Sequence, residues 1–372
     1  MVKKKRMLPG YIANNQLLGD YGVSLICITL LLLSGCSTAS IKYPFQMPGI
    51  DSSNQDNIVW PSPPEVPRYA FIGHLYGESN TAKIDQHGSS LSRFVTALVG
   101  IDEDKKDLVD LIQPQQISSD NNGRIYVADA GRQSIFVFDE RMSEFLIWNR
   151  DNLNIPFQSP VGVTLADDSI WVTDSELSLI YQFSYDGGLV KAFGKGIVER
   201  PTGITHDPGT NRIFVSDTAE SNIKVFNTKG ELIDVWGHVG TKDDELNHPT
   251  FIIFRKNKLY VADSLNARIQ IFDDLGQYQN TLGQRGMYVG NLARPKGIAL
   301  DSDGNIYVSE SYYDHVLIFN DQGELLMSLG GSGYNPGQFS QPTGLWVDNN
   351  DRLFVSDMLN SRVSVFQYLG SD

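Results

Sequence analysis

The residues best placed to do chemistry recur along the chain. Six carboxylates each close a short aromatic–Val–small–acid run: Tyr126-Val-Ala-Asp129, Trp171-Val-Thr-Asp174, Phe214-Val-Ser-Asp217, Tyr260-Val-Ala-Asp263, Tyr307-Val-Ser-Glu310 and Phe354-Val-Ser-Asp357. Six equivalent oxygens could ring a hard cation. The residue five positions later argues otherwise, because it is Arg268 after Asp263 and Arg362 after Asp357. An acid within reach of an arginine on the next strand is a charge-assisted clamp that holds a loop. In the other copies that place is taken by Ser134, Leu179, Asn222 and His315, where the acid can still accept backbone N–H groups. Asp129, Asp174, Asp217, Asp263, Glu310 and Asp357, with Arg268 and Arg362, are therefore expected to be structural clamps. Glu310 beside His315 is the exception with a chemical consequence, since a Glu–His pair would titrate near neutral pH where Asp–Arg would not.

A second set is suited to recognition. Tyr312, Tyr313, Tyr288, Tyr334 and Arg285, together with His315, are the residue types that anchor interfaces. The opposing expectation is that these tyrosines only cap sheet ends. No G-x-S-x-G, Walker loop or HExxH occurs, so nucleophilic, phosphoryl-transfer and zincin chemistries lack motif support.

The elements that must position these residues are short strands. In Arg294–Gly330 the runs KGIAL, NIYVS, HVLIF and ELLMSL are separated by DSDG and NDQG, each with a glycine suited to φ > 0. Six such copies follow one another, their acids 43 to 47 residues apart. Four strands at that period imply an all-β, six-bladed propeller of four-stranded antiparallel blades. Alternating strand direction puts the second-to-third and fourth-to-first connections on one loop-rich face. That face would collect the tyrosines, Arg285 and His315 as a candidate binding surface. The last copy ends without a fourth strand, and Arg68-Tyr-Ala-Phe-Ile-Gly-His-Leu-Tyr-Gly77 has the composition of one. An N-terminal strand is thus expected to close the ring over residues 68–372. Residues 78–113 are expected to be an insertion bearing one short amphipathic helix, from the i, i+3, i+4, i+7, i+8 spacing of Leu91, Phe94, Val95, Leu98 and Val99 before Gly100.

The aromatic–Val–small–acid pattern, Asn266-Ala-Arg268 and Asn360-Ser-Arg362, and the connector Gly333-Tyr-Asn-Pro-Gly337-Gln-Phe339 resemble NHL repeats over roughly residues 111–369. The resemblance implies a scaffold that hosts both binders and enzymes. Peptide-amidating lyases of this type hold zinc on three histidines, but His206, His248 and His315 do not converge on one end of the repeat. Lactonase-type propellers hold an axial calcium on acids and amides. The first strands here, QQISS, VGVTL, TGITH, TFIIF, KGIAL and TGLWV, are nearly free of these. No metal or other cofactor is expected.

The N-terminus reads as a targeting signal. Lys3, Lys4, Lys5 and Arg6 precede an apolar run, Tyr21–Leu33, too short to span a bilayer. Leu33-Ser34-Gly35-Cys36 resembles a bacterial lipobox, which implies removal of residues 1–35 and acylation of Cys36; translation from Met7 is the alternative start. With Cys27 inside the removed segment, no disulfide is expected. Residues 36–67, rich in Pro and Ser, read as a flexible tether. The formal charge is −14, and the four basic residues against Asp20 in the signal leave −17 for the rest. Such an acidic body is ill suited to nucleic acid. The expected object is a monomeric, lipid-anchored propeller of the bacterial envelope, with the outer membrane as its site. It would act as a non-catalytic scaffold for a protein or glycan partner. The alternatives are a metal-dependent propeller enzyme of lyase or lactonase type, or an accessory subunit of an envelope electron-transfer or export complex.

Overall fold

The computed structural model describes residues 43–45, 47–48, 58–81, 108–149 and 156–370. The signal segment, Cys36 and the expected helix at 89–100 lie outside the described residues.

Six antiparallel sheets follow the repeat copy by copy. Their first strands, Pro114–Ser119, Pro160–Ala166, Pro201–Asp207, Pro249–Arg255, Pro295–Leu300 and Pro342–Val347, pack against one another in sequence and line the axis. The proline suits the first position of a strand, where its missing N–H costs no ladder bond. Two residues later stands Gly162, Gly203, Gly297 or Gly344. A Cβ at Gly162 would fall 2.3 Å from the Thr202 carbonyl oxygen of the next blade, so glycine is what lets neighbouring inner strands approach.

Blades one and four depart from this rule, with Gln116 and Phe251 in place of glycine. Gln116 reaches across the axis to the third blade. Its Nε2 donates to the Ile204 carbonyl at 2.9 Å, and its Oε1 accepts from the Ile204 N–H at 3.2 Å. With Phe251, Ile252, Ile253, Ile298 and Leu345 alongside, the mid-channel shrinks to a void of about 10 Å³, less than a single water needs to sit comfortably. The axis is a packed core. Between blades the core continues as layers of buried Val, Ile, Leu and Phe from the second and third strands.

Closure follows the expected strand exchange. Tyr69–Leu75 pairs antiparallel with Arg362–Tyr368, supplying the fourth strand of blade six. The Tyr69 hydroxyl is 3.0 Å from that of Tyr307, which bonds Asp301 at 2.8 Å. The N-terminal arm goes further than the tether expected for 36–67. Tyr43–Pro44 pairs with the outer strand of blade one, and Val59–Trp60 adds a fifth strand to blade six. Phe45 is buried against Phe138, and Trp60 meets Phe366 edge-on with ring centroids 5.5 Å apart. Proline and serine composition hid these anchors, because single aromatic residues provide the burial and periodicity plays no part. In the insertion, the described ends form a turn at Glu78–Asn80 and a bridge between Gly77 and Asp110.

Candidate functional site

The six acids are fully buried. Each sits where a second strand ends, and each accepts N–H from the segment entering its own blade, some also from the loop that follows the acid. Asp129 accepts from Ile112 and Arg132 at 2.8 and 2.7 Å, and Asp174 from Gln158 and Leu177 at 2.8 and 3.0 Å. Asp217 accepts from Glu199 and Arg200 at 2.8 and 3.0 Å, and Glu310 from Ala293 and Arg294 at 2.8 and 2.9 Å. Asp263 and Asp357 accept one backbone N–H each, from Asn247 at 2.6 Å and Ser340 at 2.7 Å. They also take the Arg268 and Arg362 Nε–H, both at 2.8 Å. Burial pushes the Asp129 and Asp357 carboxyls up, with hydrogen bonds pulling the other way. The acids lie one to a blade, and among the described residues no group of three His, Cys, Asp or Glu side chains could hold a metal ion.

The two arginines do a second job. Arg268 Nη2 donates to the carbonyls of Lys242 and Glu245 at 2.6 and 2.8 Å. Arg362 donates to those of Tyr334, Asn335 and Gln338 at 2.8, 3.2 and 3.0 Å. Each arginine thereby pins the connector that leads into its blade. These connectors share one construction. A glycine at positive φ (Gly194, Gly237, Gly283, Gly330) is covered by an apolar anchor from the same loop (Val198, Leu246, Leu292, Phe339). At Gly330 a Cβ would lie 2.3 Å from the Phe339 ring, so the residue must be glycine.

Blade five has His315 where its neighbours have arginine, and its connector is not pinned this way. The expected Glu310–His315 pair does not form. The two residues are ladder neighbours, but the Glu310 oxygens are taken by the N–H groups of Ala293, Arg294 and Tyr312. His315 stacks on Tyr313 with ring centroids 6.0 Å apart, and its buried Nε2 has no partner. Burial holds its pKa down, against the opposing charge of Asp314. The carboxylate preferred several backbone donors to one imidazole, a competition that residue spacing cannot reveal.

The connector into blade five carries Met287, Tyr288 and Val289, and the first two are 86% and 84% exposed. Tyr312, 67% exposed, stands on the adjoining loop of blade five, edge-on to Tyr313 at 4.9 Å. Tyr334, 77% exposed, rises from the connector into blade six. Arg285 Nη2 bonds the Leu265 carbonyl at 2.5 Å, and Asp314 takes the Ser332 hydroxyl and the Gln341 N–H, both at 2.7 Å. These bonds join neighbouring loops on one face, so the structure gathers the expected residues there. Sequence reasoning missed Met287 and Val289, whose only signal is apolar side chains in a loop. It also missed a basic cluster at the channel mouth of this face. The Lys296 ammonium is pushed down by burial and then by the charges of Arg294 and Arg200.

The opposite face was expected to hold only tight turns. There the channel mouth widens into a cavity of about 160 Å³ bordered by Arg255, Trp346, His206 and Asn349.

The class defined by this architecture is the six-bladed β-propeller. An NHL-repeat family model matches residues 111–138, and the DUF5128 6-bladed beta-propeller model matches residues 299–370. The chain is a six-bladed propeller with an NHL repeat in its first blade. No curated protein matches it by sequence. Among solved structures it is similar to virginiamycin B lyase from Staphylococcus aureus, at 13% identity and TM-score 0.53, covering 69% of this chain and 95% of that one. It is also similar to an auxiliary nutrient binding protein from Bacteroides thetaiotaomicron, at 14% identity and TM-score 0.56, covering 70% of each chain. A second such protein, from Bacteroides ovatus, gives 14% identity and TM-score 0.55 over 69% of each chain. At these identities the likeness is one of fold.

Proposed function

We propose that the propeller is a non-catalytic binding scaffold of the bacterial envelope, held to the membrane by acylated Cys36 and docking a protein through its loop-rich face. One observation carries this reading: an apolar and aromatic tip, Met287-Tyr288-Val289, stands in solvent on the connector into blade five, on the face that also exposes Tyr312 and Tyr334. Solvent-facing Met and Tyr clustered on loops of a rigid scaffold are what an interface core is built from. The basic channel mouth beside them suits an acidic rim on the partner. The packed axis fits a scaffold role, and all six acids are engaged in holding backbone. The auxiliary nutrient binding proteins, which share the fold, give a parallel for an accessory binding role.

The test is a photo-crosslinking residue at Tyr288 in intact cells, with a control at exposed Lys229 on the turn face. A protein adduct at Tyr288, absent at Lys229 and reduced at least ~10-fold by Met287→Asp, is expected. Adducts that are equal at both sites, or unaffected by Met287→Asp, would refute the docking face. An adduct of carbohydrate would replace the protein partner with a glycan. Palmitate labelling that persists in Cys36→Ser would remove the anchor.

A further inference from the structure

The cavity on the turn face is built around a cation without a counterion. Arg255 ends the inner strand of blade four, and its guanidinium lies 5.1 Å from the centre of the Trp346 ring of blade six. Trp346 is itself fixed, since its Nε1–H donates to the Ser119 hydroxyl of blade one at 2.7 Å. Among the described residues, the other arginines whose charge is comparably enclosed have a carboxylate: Arg124 has Asp139, Arg352 has Asp348 and Glu140, and Arg362 has Asp357. No described carboxylate or carbonyl bonds Arg255, and burial alone lowers its pKa. The nearby acid on the rim, Asp120, is occupied by the Tyr185 hydroxyl at 2.6 Å and by the N–H groups of Asn122 and Arg124. In a chain with a −17 body, an enclosed guanidinium without an acid is a costly feature to keep.

We propose that this mouth is a binding site for a small monocarboxylate with a hydroxylated body, of the sugar-acid class. Arg255 lies over Trp346 without an acceptor among the described residues, so its fork of N–H groups is open to the two parallel bonds that a carboxylate accepts. One guanidinium balances one negative charge, which favours a monocarboxylate over a phosphate dianion. The walls are polar, with the Ser118 and Thr164 hydroxyls unengaged by described neighbours and the Asn349 amide at the rim. The volume of about 160 Å³ would hold roughly five waters, the room of one monosaccharide ring. This site lies on the face opposite the proposed docking surface and does not depend on it.

The experiment is calorimetric titration of the full chain with galacturonate, galactose and inorganic phosphate. Galacturonate should bind at least ~10-fold more tightly than galactose, and Arg255→Met should lose at least ~10-fold for galacturonate. Tyr288→Ala should leave that binding unchanged, which separates this site from the docking face. Arg255→Lys, which keeps the charge without the fork, should retain part of the affinity, and it replaces Arg255→Met if that variant fails to fold. Equal affinity for galactose, tighter binding of phosphate, no binding of galacturonate, or full affinity in the Arg255 variant would each overturn the proposal.

Discussion

Removing the Asp357 carboxylate tests whether the acid–arginine pairs clamp the blades. In Asp357→Ala the Ser340 N–H, the Asn360 amide and the Arg362 Nε–H lose acceptors at 2.7, 2.8 and 2.8 Å. Arg362 is 5% exposed, so its charge is left in the interior. Breaking one side of a buried pair costs about 3–5 kcal/mol. Two features place this case at the lower end. Arg362 keeps three connector carbonyls, and burial already raises the Asp357 carboxyl, so its charge is partly penalised in the native state. A loss of about 3 kcal/mol is expected, near 6 °C in melting midpoint at roughly 2 °C per kcal/mol for a domain of this size. The sharper quantity is the coupling in a double-mutant cycle with Arg362→Met, read by urea denaturation. It should reach about 2 kcal/mol, whereas the matching cycle of Glu310→Ala with His315→Ala should stay within about 0.5 kcal/mol, because those side chains do not bond. Equal coupling in the two cycles would refute the clamp and the distinction between blades five and six.

Three further perturbations separate the parts of the fold. Deleting 68–77 removes the strand paired to Arg362–Tyr368 and exposes the edge of blade six; the thermal transition should collapse, and an unchanged melting curve would disprove closure by strand exchange. Phe339→Ala empties the space over Gly330 and should cost about 3–5 kcal/mol by chemical denaturation, with a change under 1 kcal/mol showing that the connector stands without its anchor. His74 provides the pH test. Its Nε2 accepts from Arg362 at 3.0 Å, and burial followed by that positive charge brings its pKa down to about 3. The unfolded chain therefore takes this proton first, so the contribution is full above the unfolded value near 6.5 and is lost as pH falls toward 3. His74→Gln should flatten that part of the stability curve between pH 6.5 and 3, and an identical slope in the variant would show that His74 is not the group responsible. Asp129 and Asp357, with raised carboxyls, act in the opposite sense and gain on acidification.

How much of this was legible in the sequence depends on which interaction decides each feature. The strands, their period and the closing segment were visible because alternation and turn glycines act locally and repeat six times. The acid–arginine pairs were visible because five residues across a tight loop always face each other on adjacent strands, as Asp263 and Arg268 do. The Glu310–His315 pair failed on the same rule: the register was right, but backbone donors from a segment 16 and 17 residues earlier outcompeted the imidazole. Gln116 and Arg255 were invisible for a related reason. Gln116 finds its partner 88 residues away across the axis, and Arg255 lies over a tryptophan two blades further on.

The positions where blades differ are therefore more informative about function than the positions where they agree. Glycine in four inner strands closes the axis by contact, and Gln116 and Phe251 fill what remains, so both proposed sites lie on the rims. On the loop side, His315 makes none of the two or three connector ties that Arg268 and Arg362 make, and that blade's connector carries Met287 and Tyr288 in solvent. On the turn side, Arg255 puts a cation without an acid partner where other blades end in Ser119, Ala166, Asp207, Leu300 and Val347. A repeat fold can accept either change, because each blade's latch is an acid gripping backbone, independent of the loop it presents. That independence is the physical reason a single blade can be altered for binding while its siblings keep the ring intact.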